Sequence, residues 1–142
     1  MPFQLYVLVT WTTFTRARLI TEEVAAFLRR FLPAEADRHG AQIVELSVVA
    51  DDVHALLRLP QVVNIPRLLQ GLKRASARVA NRDGVARPAT LRWAAGYDLR
   101  SIGPRHLQYA VRYLRAQRAR HGEVVGGMGK VRSERPRERS VP

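Results

Sequence analysis

Residues 43–49 and 53–59 are two strand-like runs joined only by Ala50, Asp51 and Asp52. So short a connection can link only antiparallel neighbours, which fixes a β-hairpin in the middle of the chain. Upstream, residues 3–11 alternate, with Phe3, Leu5, Val7, Val9 and Trp11 on one side and Gln4, Tyr6 and Thr10 on the other. This period of two predicts a further strand. Thr21 is placed to cap a helix whose first turn holds Glu22 and Glu23 and whose apolar face is Val24, Phe27, Leu28 and Phe31. Pro33 is expected to end or kink it, with a further turn to His39 before Gly40.

Beyond the hairpin, Asn64 and Pro66 suit the start of a second helix. Its predicted stripe is Ile65, Leu68, Leu72, Ala75 and Val79, with Arg67, Arg74 and Arg78 on another face. Residues 91–93 and 97–101 read as short strands around Gly96, and 104–121 as a helix burying Leu107, Ala110, Val111 and Leu114. The order β-α-β-β-α-β followed by a helix predicts an α+β, ferredoxin-like split βαβ fold. An antiparallel sheet would carry two helices on one face, and an added C-terminal helix would carry Tyr113. The folded domain is expected over 1–121, and 122–142, rich in Gly, Arg, Ser and Pro, as a disordered basic tail.

Charge narrows the partner. The chain has 24 Lys and Arg against 12 Asp and Glu, a net of +12. In the tail, Lys130, Arg132, Arg135, Arg137 and Arg139 face Glu123, Glu134 and Glu138, so most of the excess lies in the folded part. Arginine makes flat, two-pronged contacts with phosphate, and so positive a field attracts polyanions. Nucleic acid leads that class, although acidic lipid or plain genome composition gives similar charge. No apolar run is long enough to span a bilayer, and the first residues lack the pattern of a secretory signal. A cytoplasmic location without membrane attachment is expected, and the absence of cysteine excludes disulfides and thiolate metal sites.

Asp52 and His54 are two apart on a predicted strand and project from one face, otherwise uncovered, where a carboxylate and an imidazole suit a divalent ion. On that pair alone, a turn aspartate and a half-exposed strand histidine are the commoner explanation. On the last helix Tyr113 and Gln117 stand one turn apart, in a row with Tyr109 and His121 and off the apolar stripe. A tyrosine oxygen can attack a phosphodiester, and Gln117 can complete an ion's shell. A lone helix tyrosine, however, is most often an aromatic at the edge of a core. Arg67, Lys73, Arg74 and Arg78 suit either a DNA backbone or a solvated helix face. Tyr97 and Trp93 suit base stacking, though Trp93 fits core packing better. His39, His106 and His121 have no partner at ligand spacing.

Five segments, in order, resemble the single-tyrosine HUH transposases, especially the REP-associated tyrosine transposases. They are Trp11, Thr13 and Arg16 in WTTFTRARLI; the hairpin segment DDVHALLRL; GLKRASAR over 71–78; Trp93, Gly96, Tyr97, Arg100, Ser101 and Gly103; and Arg112, Tyr113 and Gln117 in RYLRAQ. The resemblance covers residues 6 to about 121. It implies a homodimer in which Tyr113 attacks single-stranded DNA beside a hairpin, leaving a 5′-phosphotyrosine and a free 3′-hydroxyl. It also implies Mg²⁺ or Mn²⁺ held by His54, Gln117 and the residue at 52. The motif residues Arg16 and Arg100 join the basic face of Arg67, Lys73, Arg74 and Arg78 and the aromatic Tyr97 in the set expected toward DNA. One position departs: Asp52 stands where the family has its first histidine. Aspartate can ligate a hard cation, but it is shorter than imidazole and adds negative charge near a phosphate. A catalytically degenerate module that binds hairpin or single-stranded nucleic acid is therefore the alternative. An RNA- or ribosome-associated protein is a third reading; it accounts for the charge but not for the Tyr113 and Gln117 pair.

Overall fold

The structure, a computed structural model, describes residues 4–123, with side chains through residue 118. Phe3, the side chain of His121 and residues 124–142, most of the expected tail, lie outside the described residues. Four strands form one sheet: β1 (Leu5–Thr12), β2 (Gln42–Val48), β3 (Asp52–Leu59) and β4 (Asp98–Ile102), in the order β2-β3-β1-β4 with every neighbouring pair antiparallel. Helix α1 (Glu22–Arg38) joins β1 to β2. Helices α2 (Ile65–Gln70) and α3 (Ser76–Arg82), continuous through a π-helical turn at Gly71–Ala75, connect β3 toward β4, and α4 (Leu107–Glu123) follows a short 3₁₀ turn. This is the expected ferredoxin-like plan with its added helix.

The pleat of the central strands divides the core. Val7, Val9 and Trp11 of β1 and Val53, Ala55, Leu57 and Leu59 of β3 face one way, into a buried cluster with Val24, Leu28, Leu32 and Ala36 of α1 and Leu68, Leu69 and Leu72 of the second helical segment. Leu56 faces the other way and meets Ala110 and Leu114 of α4, flanked by Leu8, Ile102, Leu107 and Val111. The face expected to be uncovered is therefore covered by α4. Full burial of each such leucine contributes about 1.5–3 kcal/mol, enough for this smaller core to seat the helix.

Four local expectations need correction. Pro33 does not end α1, which runs through it to Arg38 with His39 as its cap, so the further turn expected to His39 is part of the same helix. The missing proline N–H costs one hydrogen bond, while Leu32 and Ala36 on either side are fully buried and hold the helix on the core. Gly40, at φ +80°, then turns the chain as expected. The second helical stripe drifts from Ala75 and Val79 to Ser76 and Ala80, because the π-helical turn inserts extra arc between Leu72 and α3. Residues 91–93 form no strand and make only an isolated bridge, Thr13 to Trp93. The Leu91 backbone is taken instead by the Asn81 side chain, whose amide accepts from Leu91 N–H (2.8 Å) and donates to its carbonyl (2.9 Å). Finally, the last helix runs two residues past its expected end at His121, to Glu123.

Candidate active site

Register builds the site. On β3, His54 lies opposite Thr10 of β1 and Ser47 of β2, and Thr10 in turn lies opposite Asp98 of β4. Directly paired residues share a face, so Asp98, Thr10, His54 and Ser47 form a row across the sheet on the side that α4 covers. Asp52 is two residues before His54 on the same face. Its carboxylate reaches the imidazole, with Oδ1 3.3 Å from His54 Nε2. Despite its shorter side chain, then, Asp52 comes as close as a shared ligand must.

From the other side α4 supplies Gln117, whose amide lies 3.5 Å from the same His54 Nε2. Sequence spacing set Gln117 apart from the apolar stripe, but its position one turn after Leu114 places it on that stripe, 4% exposed. Asp52 and His54 are also buried, at 4% and 9%. Tyr113 sits on the margin of the stripe at 43% exposure, and Tyr109 is exposed too. The tyrosine helix thus crosses the Asp52–His54 face of its own chain, with Tyr113 open to solvent one turn before Gln117.

The contacts orient these groups. Thr10 Oγ1 lies 3.1 Å from His54 Nδ1. With the hydroxyl accepting from Nδ1–H, the Nε2 lone pair is left pointing at Asp52 and Gln117. Gln117 Oε1 and Ser47 Oγ are buried with no hydrogen-bond partner among the described residues. Turning the Gln117 amide over exchanges Oε1 with Nε2 in the same envelope. Helix α4 is braced by Arg118, 3.0 Å from Glu45 and 2.9 Å from the Leu46 carbonyl, and by Arg115, 3.3 Å from Glu45.

The donor set tests whether an ion fits. Ligands about 2.1 Å from one ion and roughly 90–110° apart lie about 3.0–3.4 Å from each other. The 3.3 Å between Asp52 Oδ1 and His54 Nε2 is of that size, whereas the Gln117 atom 3.5 Å from Nε2 is the amide nitrogen, so the glutamine oxygen would face an ion there only with the amide turned over. Among the described residues no group of three His, Cys, Asp or Glu side chains is placed to hold a metal ion, so Gln117 is the third candidate donor beside Asp52 and His54. Arg16 competes for the aspartate: its guanidinium lies 3.1 Å from Asp51 and 3.7 Å from Asp52.

The residues expected to meet DNA divide into groups. Arg100 is exposed on β4 opposite Leu8, on the site face, and pairs with Asp98 at 3.2 Å. Arg16 stands at the end of the sheet beside Asp52. Arg67, Arg74 and Arg78 are exposed on α2, the π-helical turn and α3, the layer on the opposite side of the sheet. Lys73 donates from Nζ to the carbonyls of Ala94 (2.8 Å) and Gly96 (2.7 Å), and burial lowers its pKa to about 8. Tyr97 is partly buried against the main core. Trp93 packs edge-on against Trp11 and donates to Ser76 Oγ at 3.1 Å, confirming a core role. Thr10 and Ser47 escaped sequence reasoning, since only the cross-strand register brings them to His54.

The family described as "Transposase IS200 like" matches residues 2–117. The chain is similar to the crystal structure of a candidate transposase from Deinococcus radiodurans R1, at 26% identity and a TM-score of 0.65, over 82% of this chain and 93% of that one. It also shares its fold with a REP-associated tyrosine transposase bound to a REP hairpin, at 14% identity and a TM-score of 0.64, over 86% of this chain and 70% of that one. No curated protein sequence matches the chain.

Proposed function

The chain belongs to the IS200-like transposase family, whose activity is DNA cleavage and joining, and we propose that it cuts single-stranded DNA beside a hairpin with Tyr113 as nucleophile. The observation that carries this reading is the 3.5 Å approach of Gln117 on α4 to His54 on β3, which brings the tyrosine helix of the same chain onto the histidine face. Tyr113 Oη attacks the phosphorus as the P–O3′ bond breaks. The tyrosyl proton passes to solvent or to a nearby base, and the departing 3′ oxygen takes up a proton. The products are a 5′-phosphotyrosine and a free 3′-hydroxyl, with the phosphodiester's energy kept in the new ester for rejoining.

Asp52, His54 and Gln117 are the residues that would hold a Mg²⁺ or Mn²⁺ ion, Thr10 fixing the imidazole from behind. When bound, such an ion supplies polarisation of the phosphate and stabilises charge on the leaving oxygen. Arg16 and Arg100, on the site side, suit the flanking phosphates. Residues 1–121 as the working unit, 122–142 as a basic tail and a homodimeric assembly belong to the same proposal. Sedimentation of the full chain, alone and with hairpin DNA, tests the dimer.

One observation favours a second reading, a nucleic-acid-binding module that no longer cuts. Asp52 already lies 3.7 Å from the Arg16 guanidinium, an internal ion pair that needs no metal. A single assay separates the two. Hairpin-flanked single-stranded DNA with Mn²⁺ is expected to give a covalent adduct that survives denaturation and is lost in Tyr113→Phe. An adduct persisting in Tyr113→Phe removes the nucleophile assignment. A wild type that binds without cutting, and cuts once Asp52→His is introduced, establishes the second reading instead.

A further inference from the structure

The turn that follows β1 is unusually constrained for one so exposed. Thr15 and Arg16 lie in the left-handed region, at φ +55° and +58°, which costs a non-glycine residue about 1–3 kcal/mol. Thr13 holds the turn by its N–H to the Asp51 carbonyl (2.9 Å) and its hydroxyl to the Ala17 carbonyl (2.6 Å). Phe14 N–H is fixed to the Arg92 carbonyl (2.9 Å), and Arg16 is tied to Asp51 and Asp52. The visible result is that Phe14 stands 41% exposed with the Arg92 guanidinium 3.8 Å from its ring centroid.

We propose that Phe14 and Arg92 form a stacking platform for one unpaired base of the DNA strand that enters the Asp52–His54 site. This rests on the single-strand reading given above. An exposed aromatic face accepts any base, and the adjoining guanidinium adds a cation–π contact and charge toward the phosphate. Position favours this role: the turn that carries Phe14 also carries Arg16, whose guanidinium lies 3.7 Å from Asp52. Trp93 and Tyr97 leave the task to Phe14, since both pack on the core. Tyr109 and Tyr113, the other exposed large aromatics among the described residues, both belong to α4.

The test uses the full chain in EDTA, so that binding is read without cleavage. A single strand flanking a hairpin carries 2-aminopurine at successive unpaired positions. One position is expected to show strong fluorescence quenching on binding. Phe14→Ala and Phe14→Leu, the latter keeping apolar bulk, should both abolish that quenching and weaken binding about 5- to 150-fold, the range one stacked base supplies. Phe14→Trp should retain both. An abasic residue at the quenched position should weaken the wild type to the same extent and add nothing to Phe14→Leu. Quenching and affinity unchanged in Phe14→Leu overturn the platform while leaving the single-strand reading standing. A wild type with no affinity for single-stranded DNA overturns both.

Discussion

Burying an amide oxygen without a partner costs about 1–3 kcal/mol, and Gln117 Oε1 is buried in that way on the amide whose Nε2 lies 3.5 Å from His54. A ligand that satisfies this oxygen would recover the cost, so Gln117→Leu separates stability from metal affinity. Without metal the variant should be as stable as the wild type or up to about 1–2 kcal/mol more so, because an unsatisfied polar group has been replaced by an apolar one. With saturating Mn²⁺ the wild-type melting temperature should rise and that of Gln117→Leu should not. An equal rise in both proteins removes Gln117 from the ligand set. Sequence spacing put Asp52 and His54 on one strand face and Tyr113 and Gln117 one turn apart, but it set Gln117 off the apolar stripe, and only the resemblance to the transposases made His54 and Gln117 stand out. It could not reveal Thr10 or Ser47, whose place beside His54 depends on pairing between three strands far apart in the chain. Nor could it measure the reach of Asp52, which depends on the pleat at one residue.

Elements were legible where one periodicity ran unbroken, as in β1, β3 and the start of α1. They were obscured where a side chain or an insertion intervened: Asn81 occupies the Leu91 backbone, and the π-helical turn at Gly71–Ala75 rotates everything after it. That turn has a further consequence. It holds Lys73 where its ammonium caps the carbonyls of Ala94 and Gly96, so the second helical segment and the loop before β4 are fastened by one partly buried charge. Burial lowers its pKa from 10.5 to about 8. Between those values the unfolded chain keeps a proton that the folded chain has released, so stability rises with pH across that window. The neutral amine still has two N–H donors for the two carbonyls. Chemical denaturation at pH 7.5 and at pH 10 should therefore show a gain for the wild type relative to Lys73→Gln, which lacks this titration. If the difference between the two proteins is the same at both pH values, the ammonium is not desolvated as described.

Across the whole molecule, positive charge lies on both sides of the sheet. Arg16 and Arg100 are on or beside the site, whereas Arg67, Arg74 and Arg78 project from the opposite layer. Sequence could report the sum, +12, and the helical face of the three arginines, but not which layer that face belonged to. No helix among the described residues is long and apolar enough to cross a membrane. On the single-strand reading proposed above, a short strand that occupies only the site would not reach the far layer, whereas a longer one would bend round the edge of the sheet. Each phosphate contact with single-stranded DNA contributes about 0.7 to the slope of log affinity against log salt. Replacing Arg67, Arg74 and Arg78 together with glutamine should therefore lower that slope by about 2 for a long hairpin-bearing strand and leave it unchanged for a short oligonucleotide. Arg100→Gln should instead lower the slope by about 0.7 for both lengths. If the triple variant changes neither slope, the far layer is only a solvated helix face, and substrate engagement is confined to the side that carries α4.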